Sequence, residues 1–139
     1  GSMMLDSYQD LIDELLGTPQ AVREVIAGGA ASETLRLIAE LRDRDALVLE
    51  RLQRMVRQPF PHLKALPEIP EPGEPPADAD ALLTTFDSGR GELVSLLMNL
   101  TIKDWEKPAT HDTRGHVSLA DEVEAHVEFD EDHVARILG

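Results

Sequence analysis

The sequence predicts an all-α protein, a four-helix bundle formed by a single domain. Three observations support this prediction. Apolar residues recur every three or four positions in several stretches, Gly and Pro punctuate the chain between them, and alternation of apolar and polar residues is never sustained. With 139 residues, 42% of them hydrophobic, the chain can bury one core. Gly1 and Ser2 precede the first Met and are interpreted as an expression scar, so the predicted domain spans residues 3–139.

The first half of the chain predicts two helices with a short extra helix between them. Helix one is predicted from Asp6 to Leu16, and Gly17 is expected to end it. The short helix is predicted from Pro19 to Ala27, because Thr18 is a favourable N-cap and Pro is favoured at the first helical position. Helix two is the longest, and it is predicted from about Ser32 to Gln58.

A long proline-rich connection follows helix two. Residues 59–77 contain seven prolines, a density that excludes a helix. Connections in compact domains are usually only ~4–6 residues long, so this one is expected to cross the bundle between helices two and three. A flexible linker between two domains is the alternative, although each half alone is small for an independent core.

The second half of the chain predicts two more helices. Asp78 or Asp80 can cap helix three, which is predicted to continue to about Leu100. Residues 106–117 are expected to be polar and irregular. The last helix begins at a capping box with Ser118 as its N-cap, and it is predicted to end near Leu138.

The charge of the chain excludes several classes of partner. Thirteen Lys and Arg against 27 Asp and Glu give a net charge of −14. This charge argues against binding to nucleic acid and to anionic membrane surfaces. No apolar run approaches the ~20 residues that cross a bilayer, and no signal segment is evident, so we expect a cytoplasmic protein.

The residue types also limit the chemistry. The chain has no Cys, which excludes disulfides, thiolate catalysis and Cys-ligated metals. Any metal must therefore be held by imidazole and carboxylate groups. No nucleophile elbow, phosphate-binding loop or dinucleotide fingerprint is present, and no catalytic residue is predicted.

Two sets of polar residues lie on faces that are otherwise apolar. Asp45 falls inside the stripe of helix two, where it needs either a metal or a partner such as an Arg or a backbone donor. On the last helix, His126, Asp130 and His133 lie on one face through spacings of four and three. This face can present nitrogen and oxygen donors to one divalent ion. The alternative is a solvated acidic surface that happens to contain histidines.

Three segments together resemble the DinB/YfiT-like family. Residues 90–105 (RGELVSLLMNLTIKDW) are similar to its third helix, which carries leucines at core spacing and closes with an acidic residue and Trp. Residues 37–52 resemble its second helix, and residues 115–119 with residues 133–137 resemble its last. The resemblance implies a four-helix bundle that is often dimeric. It also implies a zinc or nickel ion held by one His of the second helix and a His-x-x-x-His pair of the last.

Residue by residue, the metal ligands of the family are mostly replaced. Glu40 stands where the His of the second helix is expected, and Phe129 stands where the first His of the pair is expected. Only His133 matches. Either the site is degenerate and metal-free, or it is rebuilt from Glu40, His133 and one of His126 or Asp130. Asp45, Phe129 and Trp105 are the predicted pocket residues.

These observations lead to two functional hypotheses. In the first, the protein is a DinB-like bundle with a degenerate metal site that acts as a small-molecule-binding or interaction module. The alternative is a metal-dependent hydrolase or thiol S-transferase with an altered ligand set, in which a divalent zinc or nickel ion would be the cofactor. A homodimer is expected in either case, and a purely structural dimerisation protein is a third possibility.

Overall fold

A computed structural model describes residues 2–67 and 78–139, with side chains from Ser7 onward. This part of the chain is mainly helical and carries a small three-stranded sheet. The helices are α1 (Ser2–Ile26), α2 (Ser32–Arg57), α3 (Ala79–Met98), α4 (Ile102–Trp105) and α5 (Leu119–Leu138). The strands are β1 (His62–Leu63), β2 (Pro108–His111) and β3 (Gly115–Ser118). The predicted four-helix bundle is confirmed, with α1, α2, α3 and α5 as its long helices.

Helix α1 is continuous, so the predicted break at Gly17 and the separate helix from Pro19 to Ala27 are wrong. Pro19 has no N–H to donate to the carbonyl of Leu15, which would otherwise break the ladder at this turn. The Arg90 side chain supplies that donor instead, with Nη1 at 2.8 Å from the Leu15 carbonyl oxygen. A tertiary contact therefore compensates for the proline, and the sequence of this segment alone does not reveal it.

The other long helices begin and end close to the predicted residues. The Asp78 carboxylate caps α3 by accepting from the N–H of Ala81 at 2.7 Å. At the start of α5, Ser118 and Asp121 form both hydrogen bonds of a capping box. Most of the proline-rich crossover, residues 68–77, lies outside the described residues.

A β-hairpin occupies most of residues 106–117, which were predicted to be irregular, and that prediction is wrong. Strands β2 and β3 pair antiparallel, with Ala109 opposite Val117, and β1 pairs parallel to β2. Ala109 and Val117 are buried in the core. Each strand has at most four residues, so its alternation is too short to be recognised in the sequence.

The four long helices enclose two apolar clusters. Helices α1 and α2 each pack against both α3 and α5, so α1 and α2 lie on one diagonal of the bundle. One cluster includes Leu15, Leu52, Leu93 and Val127, and the hairpin packs on it. The other cluster has these buried members: Val22, Ile26, Leu37, Ile38, Leu41, Leu82, Leu83, Phe86 and Ile137.

The order of these clusters along each helix explains the long connection. Helices α2 and α3 both run from the cluster of Ile38 to the cluster of Leu52, so they are parallel neighbours. The end of α2 and the start of α3 therefore lie at opposite ends of the bundle. Since α2 has 26 residues, that distance is about 39 Å at ~1.5 Å per residue. A short loop cannot span it, which accounts for the length of residues 58–78.

We predict that Gly17→Ala stabilises the protein by about 0.5–1 kcal/mol, because Ala is the better residue inside a helix. A Cβ built at Gly17 meets no atom within 4 Å, so the added methyl group causes no clash. The matched variant is Gly29→Ala, at a position where φ is +106° and an L side chain is strained. It should lose stability. Urea unfolding measures both changes, and a loss of stability in Gly17→Ala would contradict a continuous α1.

Candidate functional site

A layer of buried polar residues separates the two apolar clusters. Thr18 lies between Leu15 and Val22 on α1, and each of the other three helices carries polar residues at the same level. Asp45, Arg90 and His126 are each only 1% exposed. We call this set the polar layer. Its members are Thr18, Asp45, Arg90, His126 and Asp130.

Arg90 is the centre of the polar layer. Its Nε and Nη2 donate to the two Asp45 carboxylate oxygens at 2.9 and 3.0 Å, and Nη2 also donates to Asp130 at 2.7 Å. The bond from Nη1 to Leu15 completes contacts with all three other long helices. Burial by itself lowers the pKa of Arg90, but the charges of Asp45 and Asp130 outweigh burial and raise it above its usual value. Arg90 is therefore the partner that Asp45 requires.

The two carboxylates of the polar layer extend it to α1 and α5. The Thr18 hydroxyl donates to Asp130 at 2.5 Å. Nε2 of His126 lies 2.8 Å from Asp45 Oδ1. Nδ1 of His126 is buried and has no hydrogen-bond partner among the described residues. His126 thus carries one polar atom that the described part of the chain leaves unsatisfied.

A second polar contact joins Glu40 on α2 to His133 on α5. Nε2 of His133 lies 2.9 Å from Glu40 Oε1, and Nδ1 lies 3.3 Å from the carbonyl oxygen of Phe129. The Phe129 ring stacks on the His133 ring with centroids 4.1 Å apart. Arg36 forms an ion pair with the other Glu40 oxygen. Glu40, Phe129 and His133, which the resemblance places at the metal site, are therefore together in the fold.

The predicted chelating face of α5 is divided between the polar layer and the contact of Glu40 with His133. His126 and Asp130 belong to the polar layer, whereas His133 pairs with Glu40. Trp105 lies elsewhere, buried in the cluster of Leu52, where it stacks on Tyr8 with ring centroids 4.5 Å apart. No group of three or more His, Asp or Glu side chains within residues 2–67 and 78–139 is arranged to hold a metal ion.

A cavity of about 340 Å³ lies between α2, α5, the hairpin and the chain after β1. His126, a residue of the polar layer, forms part of its wall. Arg44 also lines it, and the guanidinium carbon of Arg44 lies 4.5 Å from the centre of the Phe129 ring. We call it the arginine cavity. The lining residues are Arg44, Val48, Arg51, Ala65, Leu66, His111, Thr113, Arg114, Glu122, Ala125 and His126.

The arginine cavity carries positive charge in a protein of net charge −14. Its lining has three arginines and one carboxylate, Glu122, which forms ion pairs with both Arg51 and Arg114. Burial, followed by repulsion from Arg51, lowers the pKa of Arg44. Burial, followed by the charge of Arg114, also lowers the pKa of His111. The formal charge of the cavity lining is therefore opposite in sign to the net charge of the whole chain.

The sequence analysis missed most of these residues. Arg90 follows Phe86 by four positions and precedes Leu93 by three, so it interrupts an apolar stripe as Asp45 does. That signal was available in the sequence. By contrast, His111 and Arg114 reach the cavity from the hairpin, whose pairing with β1 is a long-range contact. No pattern in the local sequence predicts such a contact.

No protein-family model matches the sequence, and no curated protein matches it. Among solved structures, the chain is similar to YfiT from Bacillus subtilis, with a TM-score of 0.75 and 17% sequence identity. The superposition covers 96% of this chain and 85% of YfiT. The chain has the YfiT fold. YfiT is described as a probable metal-dependent hydrolase with an unusual four-helix bundle topology.

Glu40 and His133 by themselves supply only two side-chain donors for a metal ion in this YfiT-type bundle. A protein zinc site needs at least three side-chain donors with free lone pairs. Here Glu40 and His133 contact each other, and both nitrogens of His133 face oxygen atoms. The adjacent Phe129 ring has no donor atom.

Within the described residues of the bundle, no helix is both long and apolar enough to span a membrane.

We predict that Arg90→Met destabilises the YfiT-type bundle by about 3–5 kcal/mol, because it leaves two buried carboxylates without their cation. The control is Arg23→Met, which removes the exposed ion pair with Asp87 and should cost only about 0–1 kcal/mol. Urea unfolding of both variants measures the difference. Equal losses would show that the polar layer contributes no more than a surface pair.

We also predict that His111 makes the protein less stable as the pH falls. Its Nδ1 accepts from the backbone N–H groups of Thr113 and Arg114, at 3.1 and 3.3 Å. Since the pKa of His111 is lowered in the fold, the unfolded chain takes up its proton first as the pH falls below the usual 6.5. The free energy of unfolding should then decrease until the pH passes the pKa of the folded protein.

The matched variant for this prediction is His111→Asn, which keeps an acceptor near the same place and cannot titrate. Urea unfolding of both proteins between pH 7.5 and about pH 5 gives the comparison. The wild type should lose stability relative to His111→Asn as the pH falls. A constant difference over this range would contradict the assignment.

Proposed function

We propose that this protein is a metal-independent small-molecule-binding bundle and that the arginine cavity is its binding site. The observation that carries the proposal is the direct contact of Glu40 with His133, beside the ring of Phe129. These are the positions at which the resemblance expects the metal ligands. A hydrogen-bonding contact between a carboxylate and an imidazole occupies them in this chain.

The contacts around His133 support the loss of the metal. Binding of an ion through Nε2 would require separation from Glu40, and Glu40 is also held by Arg36. A site rebuilt with His126 or Asp130 would have to take these donors from Asp45 and Arg90. Metal binding there would weaken the buried contact of Asp130 with Arg90 or of His126 with Asp45. This loss disfavours the alternative of a metal-dependent hydrolase or thiol S-transferase with an altered ligand set.

The arginine cavity has the properties of a binding site. Its volume of about 340 Å³ lies at the lower end of the range of small-molecule sites, ~300–1,000 Å³. Apolar side chains and a few convergent polar groups share its wall, as is typical of ligand pockets. A wider groove lies between α1 and α5, but its charged residues are all carboxylates, namely Asp10, Asp13, Glu14, Asp130 and Glu131. The cavity offers a ligand both donors and apolar surface.

The first half of the test is metal content. Protein purified without chelator or a nickel column should contain no stoichiometric zinc or nickel by elemental analysis. The matched variant carries Glu40→His and Phe129→His, which give three imidazoles with His133, and it should gain zinc. Stoichiometric metal in the wild type that disappears in His133→Ala would overturn the proposal.

The second half of the test is binding. A small-molecule library screened by thermal shift in the presence of EDTA should yield ligands that raise the Tm, since a ligand at about 100-fold its Kd adds about 2.7 kcal/mol of stability. Ala125→Phe fills the cavity and should abolish these shifts. Ala135→Phe, on the exposed face of the same helix, is the control and should retain them. The same screen is repeated without EDTA. If no ligand raises the Tm, or if ligands raise it only when EDTA is absent, metal-independent binding is contradicted.

A further inference from the structure

Arg44 is the arginine of the cavity that has no anionic partner among the residues the structure describes. Its Nη1 donates to the carbonyl oxygen of Pro67 at 2.6 Å, and its guanidinium stacks on Phe129. Its Nε is buried and has no hydrogen-bond partner among the described residues. No carboxylate among the described residues forms an ion pair with it, whereas Arg51 and Arg114 both pair with Glu122. A buried N–H without an acceptor is costly, so this group indicates that an acceptor is missing.

The charges around Arg44 indicate that the missing acceptor is anionic. Two positive charges on the wall remain in excess after Glu122 is counted, and burial and mutual repulsion already lower the pKa of Arg44. A negative group in the cavity would relieve both effects at once, because it replaces lost hydration and screens the repulsion. His126 lines the same cavity, and its Nδ1 also has no hydrogen-bond partner among the described residues. Two of the three buried side-chain atoms that have no hydrogen-bond partner among the described residues therefore belong to side chains that line this cavity.

The remaining wall and the net charge define the size and body of the ligand. Val48, Ala65, Leu66 and Ala125 supply an apolar surface beside the arginines. A hydrocarbon or aromatic body of modest size can pack there within about 340 Å³. A charge of −14 repels long polyanions, so a nucleic acid does not fit this site.

We propose that the arginine cavity binds a small organic anion, with its carboxylate or phosphate group against Arg44 and Arg114 and its apolar body against Val48, Leu66 and Ala125. This inference rests on the proposed function and adds to it the chemical class of the ligand. Arg44 is the primary recognition residue, because its guanidinium is free of a carboxylate partner within the described chain. Arg114 joins the site from the turn of the hairpin.

Calorimetric titration with matched pairs of compounds tests the inference. Benzoate, phenylacetate and phenyl phosphate are the anionic probes, and benzamide, phenylacetamide and benzyl alcohol are their neutral counterparts. In EDTA and low salt, the best anion should bind at least about 10-fold more tightly than its neutral counterpart, as expected for charge-assisted hydrogen bonds. A preference for phenyl phosphate over both carboxylates would identify the phosphate form of the ligand, and the reverse would identify the carboxylate form.

Two variants locate the anion. Arg44→Met keeps a long side chain over Phe129 without the charge, and it should lose at least about 10-fold in affinity for the best anion. Arg42→Met is the control, since Arg42 lies on the same helix, pairs with Asp43 and does not line the cavity, and its affinity should stay within about 2-fold. Arg114→Met provides a second loss from a different element. Circular dichroism checks that each variant is folded.

The outcomes separate this inference from the proposed function. If neutral compounds bind as tightly as anions and Ala125→Phe removes both, the cavity binds small molecules but the anionic class is wrong. Equal losses in Arg44→Met and Arg42→Met, or anion binding that survives in Ala125→Phe, would also overturn the inference. If the library and the matched pairs all fail to bind, the proposed function falls with it.

Discussion

The structure depends on one buried cation, Arg90, that is shared by the long helices. Four hydrogen bonds run from its guanidinium to Leu15 on α1, Asp45 on α2 and Asp130 on α5. Removing so large a charge from water is expensive, and the cost is offset only when every donor has an acceptor in good geometry. The four helices must therefore meet in one register, with Arg90 level with both carboxylates. Leu-on-Leu contacts of the two apolar clusters tolerate many more registers than this.

The same register positions the wall of the arginine cavity. Asp45 accepts from Arg90 on one side and contacts Nε2 of His126 on the other, so the polar layer fixes the ring of a cavity residue. The next turns of α2 and α5 place Arg44 over Phe129 and Glu40 against His133. The positions of the charged side chains in the site thus follow from the packing of the core. In our proposal, the chain keeps the YfiT fold and binds small molecules without a metal.

The sequence anticipated part of this arrangement, for a physical reason. Asp45 and Asp130 were recognised because a carboxylate on an apolar stripe must have a partner, but the identity of that partner depends on which helices are neighbours. Glu40, Phe129 and His133 were grouped through the family resemblance, and the fold brings them together. The charged half of the cavity was not foreseen. Arg114 reaches Glu122 only because the hairpin folds against α5, and strands of four residues leave almost no periodic signal.

The sequence by itself determined the four amphipathic helices, the capping box at Ser118, the choice between Asp78 and Asp80 as the cap of α3, and a long proline-rich connection after α2. These features follow from periodicity, from local hydrogen bonding and from the density of prolines, all of which act over a few residues. Only the tertiary structure decided that α1 continues through Pro19, that Arg90 joins the carboxylates, and that the positive charges collect in one cavity. Each of these outcomes is set by groups that are far apart in the chain, and their energies exist only once the helices have packed.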